Sequence, residues 1–423
     1  MIDLSHNNLR KLDSQLFDLE NLTSLDVSHN KLQALPPKVF DGFRLNQVYL
    51  QNNDLSQLDA ETFHGLAFGQ NSILDMSQNK LQDLPPKVFD GLKLNKLYLP
   101  NNDLSQLHAD AFHGLSFGYY GILDMSQNKL QSLHAEAFHG LKFGQNGILD
   151  MSQNNLQDLP PKVFDSLELD RLYLQNNNLI QLHTGSFQGL TFGRYCSNCI
   201  LDMSQNKLQV LHAETFQGLS FANKGILDMS QNKLSTLPEK VFDGLWYLRS
   251  LDLAENELVT LSSDVFHSLP DLGSLRLERN RLRSLGDRPF YQLYHLEELH
   301  LAQNLLEDLD DHVFDSLSVS VCDSAGCVHH SLKRRLLELH LGGNRLTALH
   351  DGLFKGFRSL RTLQLQSNQL ARLPKQLFQF PGKVYGVIEF PSMEDSLEGI
   401  NHNLNFHSSH HIFFTETKLV TIL

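Results

Sequence analysis

The ten residues "ILDMSQNKLQ" that begin at Ile73 begin again at Ile122 and at Ile200, with near copies at Ile148 and Ile226. A chain that restates one phrase at short intervals builds equivalent turns that stack on one another, because each turn can bury its apolar residues only against its neighbours. Aligned on "LxxLxLxxNxL", the ninth-position asparagines are Asn7, Asn30, Asn53, Asn79, Asn102, Asn128, Asn154, Asn177, Asn206, Asn232, Asn256, Asn280, Asn304, Asn344 and Asn368. Their spacing is 23 to 29 residues, apart from one step of 40 between Asn304 and Asn344.

Each part of the phrase has a physical reading. In "LYLQNN", Leu172 and Leu174 alternate with Tyr173, the period of a short strand with one buried face. The Asn turns the chain out of the strand, and its amide is suited to bond backbone groups that a corner leaves unpaired. Stacking should align these amides as a ladder. The return limb reads "LPPKVFDGL" (Leu84 to Leu92) or "LHAEAFHGL" (Leu133 to Leu141). Its phenylalanine, from Phe40 through Phe89, Phe164 and Phe266 to Phe378, should point back into the core as a second ladder.

With these residues in place, the chain resembles the leucine-rich-repeat superfamily. The stretches Leu248 to Leu269 and Leu360 to Phe380 are similar to the "typical" subclass found in Toll-type receptor ectodomains, chaoptin, Slit and the acid-labile subunit. The resemblance implies an α/β solenoid. It would be a leucine-rich-repeat horseshoe of about fifteen turns, with a parallel concave β-sheet and an irregular or short-helical convex side. The repeats span residues 1–380, with a loop insertion at about 318–335, and residues 381–423 form a non-repeat tail. The resemblance also implies a non-catalytic module without cofactor or metal. It would recognise a protein or glycan on the concave sheet, as an extracellular or cell-surface receptor or adhesion-type ectodomain or a fragment of one. Homo-oligomers stay open. An intracellular scaffold or regulatory subunit is the alternative, because "MIDLSHNNLRKLDSQLF" does not read as a signal peptide and the cysteine-rich caps of family ectodomains are missing.

Composition narrows the partner. The formal net charge is −13, which argues against a nucleic-acid partner. No run of about 18 apolar residues is present to cross a membrane. No nucleophile–His–acid set, phosphate loop or zinc-protease motif appears. The recurrence of His108, His134, His183 and His212 at one repeat position reads as copying rather than as a catalytic centre.

The fifth motif position lines the expected concave face. There Tyr98, Asp124, Asp150, Tyr173, Asp202 and Asp228 make a row of carboxylates and tyrosines, suited to a basic or glycan partner or serving only solubility and spacing. From Arg276 onward the repeats stop copying one another. Arg276, Glu278, Arg279, Glu298, His300, Glu338 and His340 form a mixed-charge stretch, and drifted repeats are the better place for specific contacts. At the third position Ile73, Ile122, Ile148, Ile200 and Ile226 either stand on the concave surface or tuck inward. The inward reading would replace a first-position leucine that Asn71, Tyr120, Asn146, Asn198 and Lys224 displace.

Four cysteines form two local pairs, Cys196 with Cys199 and Cys322 with Cys327, each able to close a small loop in an oxidising compartment. They lie too far apart along the stack for one four-ligand zinc site. One glycosylation sequon, "NLT", starts at Asn21 and matters only in a secreted chain. The insertion reads either as a functional loop protruding from the solenoid or as a translated non-coding stretch, and with the tail and the abrupt start inside a repeat it suggests a truncated or imperfectly predicted chain.

Overall fold

The computed structural model describes residues 1–13, 22–193, 196–315, 319–323, 326–330, 332–373, 387–390 and 411–414. Asn21 and Phe378 lie outside these residues. The chain divides into two compact units, one of residues 1–208 with 215–226 and one of residues 209–214 with 227–423.

In the first unit, strands from Ile2–Asp3 to Cys199–Asp202 pair in parallel with their sequence neighbours. In the second, Leu248–Asp252, Ser274–Arg276, Glu298–His300, Glu338–His340 and Thr362–Gln364 do the same. Backbone pairing continues to Val387–Phe390 and then to His411–Phe414. The insertion contains an antiparallel hairpin, Val319–Asp323 with Gly326–His330, whose register sets Cys322 opposite Cys327. The side chains of these two cysteines lie outside the description.

Alternation explains the strands. In Lys93–Tyr98, Leu94 and Leu97 are buried and Tyr98 is half-exposed. The return limbs are irregular: Leu84 to Leu92 is a run of tight turns, with Asp90 N–H donating to Lys87 O at 3.0 Å and Leu92 N–H to Phe89 O at 3.1 Å. The helix among the described residues is short, Leu332–Arg335.

The two ladders expected from the sequence are present within each unit. Phe40, Phe63, Phe89 and Phe112 stack at 5.7 to 5.9 Å between ring centroids. In the second unit Phe242, Phe266, Phe290 and Phe314 stack at 6.1 to 6.4 Å. From Asn30 onward the corner asparagines hold neighbouring turns together. Asn53 Nδ2 donates to Leu50 O of its own turn at 3.0 Å and to Val27 O of the turn before at 3.1 Å, while its Oδ1 accepts Leu32 N–H at 2.9 Å. Asn102, Asn154 and Asn177 repeat the pattern. The residue before each corner Asn takes the left-handed conformation, as at Asn52, Gln78, Glu255 and Arg279.

The structure decides the question of the isoleucines. Ile73, Ile122 and Ile148 are half-exposed and pair in register with Lys96 or Arg171, so they stand on the outward face. The first-position register is not vacant in these repeats, and this corrects the reading from the sequence: a phenylalanine occupies it, buried at Phe117 and half-buried at Phe68. Phe68 pairs with Leu45, and Phe117 with Leu94, so a phenylalanine takes the leucine's register. Three extra residues then bulge out before the strand resumes. The bulge turns through a left-handed residue at Asn71, Tyr120 or Asn146. Phe117 stacks on Phe143 at 4.8 Å, and Phe192 on Phe221 at 4.6 Å.

Candidate functional site

The outward side chains at the strand ends carry the site residues expected from the sequence, and register places them. In the first unit Tyr98, Asp124, Asp150, Tyr173 and Asp202 are successive partners and form one continuous row. All five are half-buried. The aspartates have a local task that sequence reasoning missed. Asp124, Asp150 and Asp202 each accept, through Oδ1, the N–H of the serine two residues on, at 2.9 Å. They close the turn out of the strand. Burial, with Asp124 beside it, pushes the Asp150 carboxyl above the usual carboxylate range. Asp228 lies in the second unit and closes its own turn on Ser230.

Within the second unit the row runs Asp252, Arg276, His300, His340, Gln364. Here the repeat stops copying and the surface sinks into a polar depression of about 410 Å³. Its walls include Asp252, Glu255, Arg276, Glu278, Arg279 and His300. Arg276 sits between two carboxylates, with its Nε 3.2 Å from Asp252 Oδ2 and 2.9 Å from Glu278 Oε1. Burial opposes its charge, but Glu278 and Asp252 outweigh that and hold it more firmly protonated. Arg279 reaches across three turns, donating to Glu255 Oε1 at 2.7 Å and to Gln303 Oε1 at 2.6 Å. Glu278 Oε2 has no hydrogen-bond partner among the described residues. Burial raises the Asp252 carboxyl to about 6, with Asp228 adding repulsion and Arg276 opposing.

On the wall of the depression, His300 and His340 lie against each other with tilted rings, the centroids 4.2 Å apart and the planes 33° apart. Glu338, two residues before His340 and on the same face, brings Oε2 to 3.3 Å from His340 Nε2. The ligand atoms of His300, Glu338 and His340 all lie within 4.8 Å of one another, and they are the group among the described residues that could hold a metal ion. Burial, then the neighbouring His340, lowers the His300 pKa. In the first unit, Cys196 and Cys199 are buried and joined by a disulfide inside the longest bulge.

Parallel-paired turns with inward leucines, a Phe ladder and an Asn ladder define a repeat solenoid that presents one residue per turn at each outward position. The leucine rich repeat family matches residues 1–55, 43–104, 70–117, 225–282, 270–320 and 334–383. These ranges take in more than half of the chain, which therefore belongs to the leucine-rich-repeat family. A leucine-rich-repeat protein of Leptospira interrogans is similar in structure, with 26% identity, a TM-score of 0.52, and coverage of 87% of this chain and 90% of that one. Toll from Drosophila, in its complex with Spatzle, has a TM-score of 0.63 at 20% identity and covers 89% of this chain, which spans 48% of it. The functional domain of InlJ from Listeria monocytogenes has a TM-score of 0.52 at 20% identity, over 88% of this chain and 70% of that one. At these identities the last two show the fold alone. No curated protein is significantly similar to the chain in sequence. No helix among the described residues is long and apolar enough to cross a membrane.

Proposed function

We propose that the chain is a non-catalytic recognition module and that it binds a protein or glycan on the outward sheet face of the second unit, around Arg276, Glu278, Arg279, His300 and His340. One observation carries this reading. The depression sits where the repeat ceases to copy itself, and its charges are fixed in place by one another before any partner arrives. Two arginines pinned by Asp252, Glu278, Glu255 and Gln303 present ordered donors and acceptors, so docking on them costs little side-chain entropy. The row of Tyr98, Asp124, Asp150, Tyr173 and Asp202 is a second, less specific contact surface, because its aspartates are already engaged in closing turns. The similarity in fold to Toll, seen in complex with Spatzle, supports a protein ligand.

An extracellular or cell-surface setting is favoured by the Cys196–Cys199 disulfide, since such bonds persist in oxidising compartments. The repeat array over 1–380 is then the binding body. The test is a binding measurement with a candidate ligand from affinity capture, repeated with Arg276→Glu and Arg279→Glu on the face and Lys162→Glu on a return limb. The two face variants should abolish binding and the third leave it intact. Equal loss from all three, or loss from Lys162→Glu alone, moves the site elsewhere.

A further inference from the structure

The two adjacent imidazoles and the neighbouring carboxylate call for an account beyond partner recognition. The ring centroids of His300 and His340 are 4.2 Å apart, which brings imidazole nitrogens from two neighbouring strands close to one another and to the Glu338 carboxylate. Register makes the group rigid. His300 and His340 are direct partners on neighbouring parallel strands, and Glu338 faces the same way from the His340 strand. The backbone beneath is the buried leucine ladder, with Leu299 and Leu339 fully inside.

We propose that His300, Glu338 and His340 form a binding site for a divalent transition-metal ion of the zinc class. Four ligands at about 2.1 Å around a tetrahedral centre stand about 3.4 Å apart. Glu338 Oε2 and His340 Nε2 are already 3.3 Å apart. With all three ligand atoms inside 4.8 Å, closure needs roughly an ångström of side-chain rotation. The donor set, two imidazoles and one carboxylate, suits zinc, copper or nickel and is wrong for magnesium or calcium, which take oxygen ligands. The surroundings carry both signs: Glu298 stands at the register position opposite Glu338 and Glu278 lines the same depression, while Arg276, the register partner of His300, is paired with Glu278 and Asp252.

Three protein ligands leave a fourth position open to solvent on the sheet face, where water or a side chain from a bound protein would complete the shell. That last role rests on the partner-binding reading; the metal site itself does not. His350 offers the contrast. It lies 3.5 Å from Asp308 and 3.8 Å from Asp311, one imidazole among carboxylates with no second nitrogen donor.

The test is calorimetric titration of the full chain, stripped of metal, with zinc chloride, and a parallel cobalt(II) titration read by its visible absorption. Expected are one dominant site per chain and intense tetrahedral-type cobalt bands. His300→Gln, His340→Gln and Glu338→Gln should each weaken zinc binding by at least ~10-fold, with the cobalt bands lost, while His350→Gln changes neither. Circular dichroism confirms that each variant is folded. Should a histidine variant unfold, the half-exposed Glu338→Gln decides the outcome alone. Zinc affinity unchanged in folded Glu338→Gln and His340→Gln, or cobalt spectra of octahedral type in the wild type, overturns the site. Because no partner is present, failure here leaves the recognition reading untouched.

Discussion

Replacing Asp252 with asparagine should stabilise this protein at alkaline pH and do nothing at acid pH. The carboxyl ends the strand Leu248–Asp252 with its side chain only 20% exposed. Its Oδ1 accepts Ala254 N–H at 2.9 Å, a bond that an asparagine Oδ1 can keep. Asp228 and Glu278 add like charge, and Arg276, its counter-ion, is shared with Glu278. Burial leads these effects and raises the group from 3.8 to about 6. The native state therefore holds the proton more tightly than the unfolded chain does. The stability this contributes is fully present below about pH 3.8 and is lost as pH rises through about 6. A rise of about two pH units at 1.36 kcal/mol each makes the charging cost about 3 kcal/mol at pH 8. The neutral amide of the variant never bears that cost. Urea unfolding followed by circular dichroism should give Asp252→Asn a higher midpoint than wild type at pH 8, and midpoints that converge near pH 4. Amide exchange across residues 248–280 gives the local readout, since a long repeat array need not unfold in one step. A variant less stable than wild type by the same amount at both pH values would show that the Asp252–Arg276 pair outweighs burial, and would sink the reasoning.

Other changes test the scaffold. Asn154→Ala removes bonds to Met125 O and Met151 O and the acceptor for Leu130 N–H, all buried, and should cost about 3 kcal/mol in urea unfolding. The exposed neighbour Asn155→Ala should cost less than about 0.5 kcal/mol. Gly121→Ala would place a methyl 2.4 Å from Phe117 Cβ and should destabilise by about 1–3 kcal/mol, seen as a lower melting temperature. Phe192→Ala empties a fully buried site stacked on Phe221 and should cost about 3–5 kcal/mol by the same assay.

The parts of this fold that were legible in the sequence are those where one residue type has one task at a fixed distance from the corner. Leu97, Phe89 and Asn102 are of that kind: each position tolerates little else, so the letter survives copying. The bulged repeats were misread because counting back from the Asn assumes a constant spacing. Three extra residues shift the first-position register to Phe68 or Phe117 and leave Asn71 or Tyr120 at the counted position. The signal was available in "AFGQNSILD", "SFGYYGILD" and "SFANKGILD", where the Phe recurs six residues before the strand leucine. Arg276, Glu278, Arg279, His300 and His340 were legible as departures from the repeat, and parallel register brings them together. What the letters did not reveal was pairing. Arg276 is held by Asp252, a residue that reads like the aspartates of the copied "LDM" phrase until its strand neighbour is an arginine.

That last point says why function would collect where copying ends. A parallel ladder sets identical positions side by side, so a copied charge meets its own kind. Asp124 and Asp150 are direct partners, and the Asp150 carboxyl is raised by burial with Asp124 adding to it. Extending such a row adds like-charge strain with each turn and yields a surface uniform along the stack, with no point that distinguishes one docking register from the next. Substituting one rung changes both at once. Arg276 beside Asp252 relieves the repulsion and marks one position on the face, and His300 beside His340 puts two imidazoles where the copied repeats put carboxylates. A partner sliding along the second unit would find one place where donors, acceptors and imidazoles coincide. A repeat protein acquires such an address by breaking its own pattern, not by elaborating it.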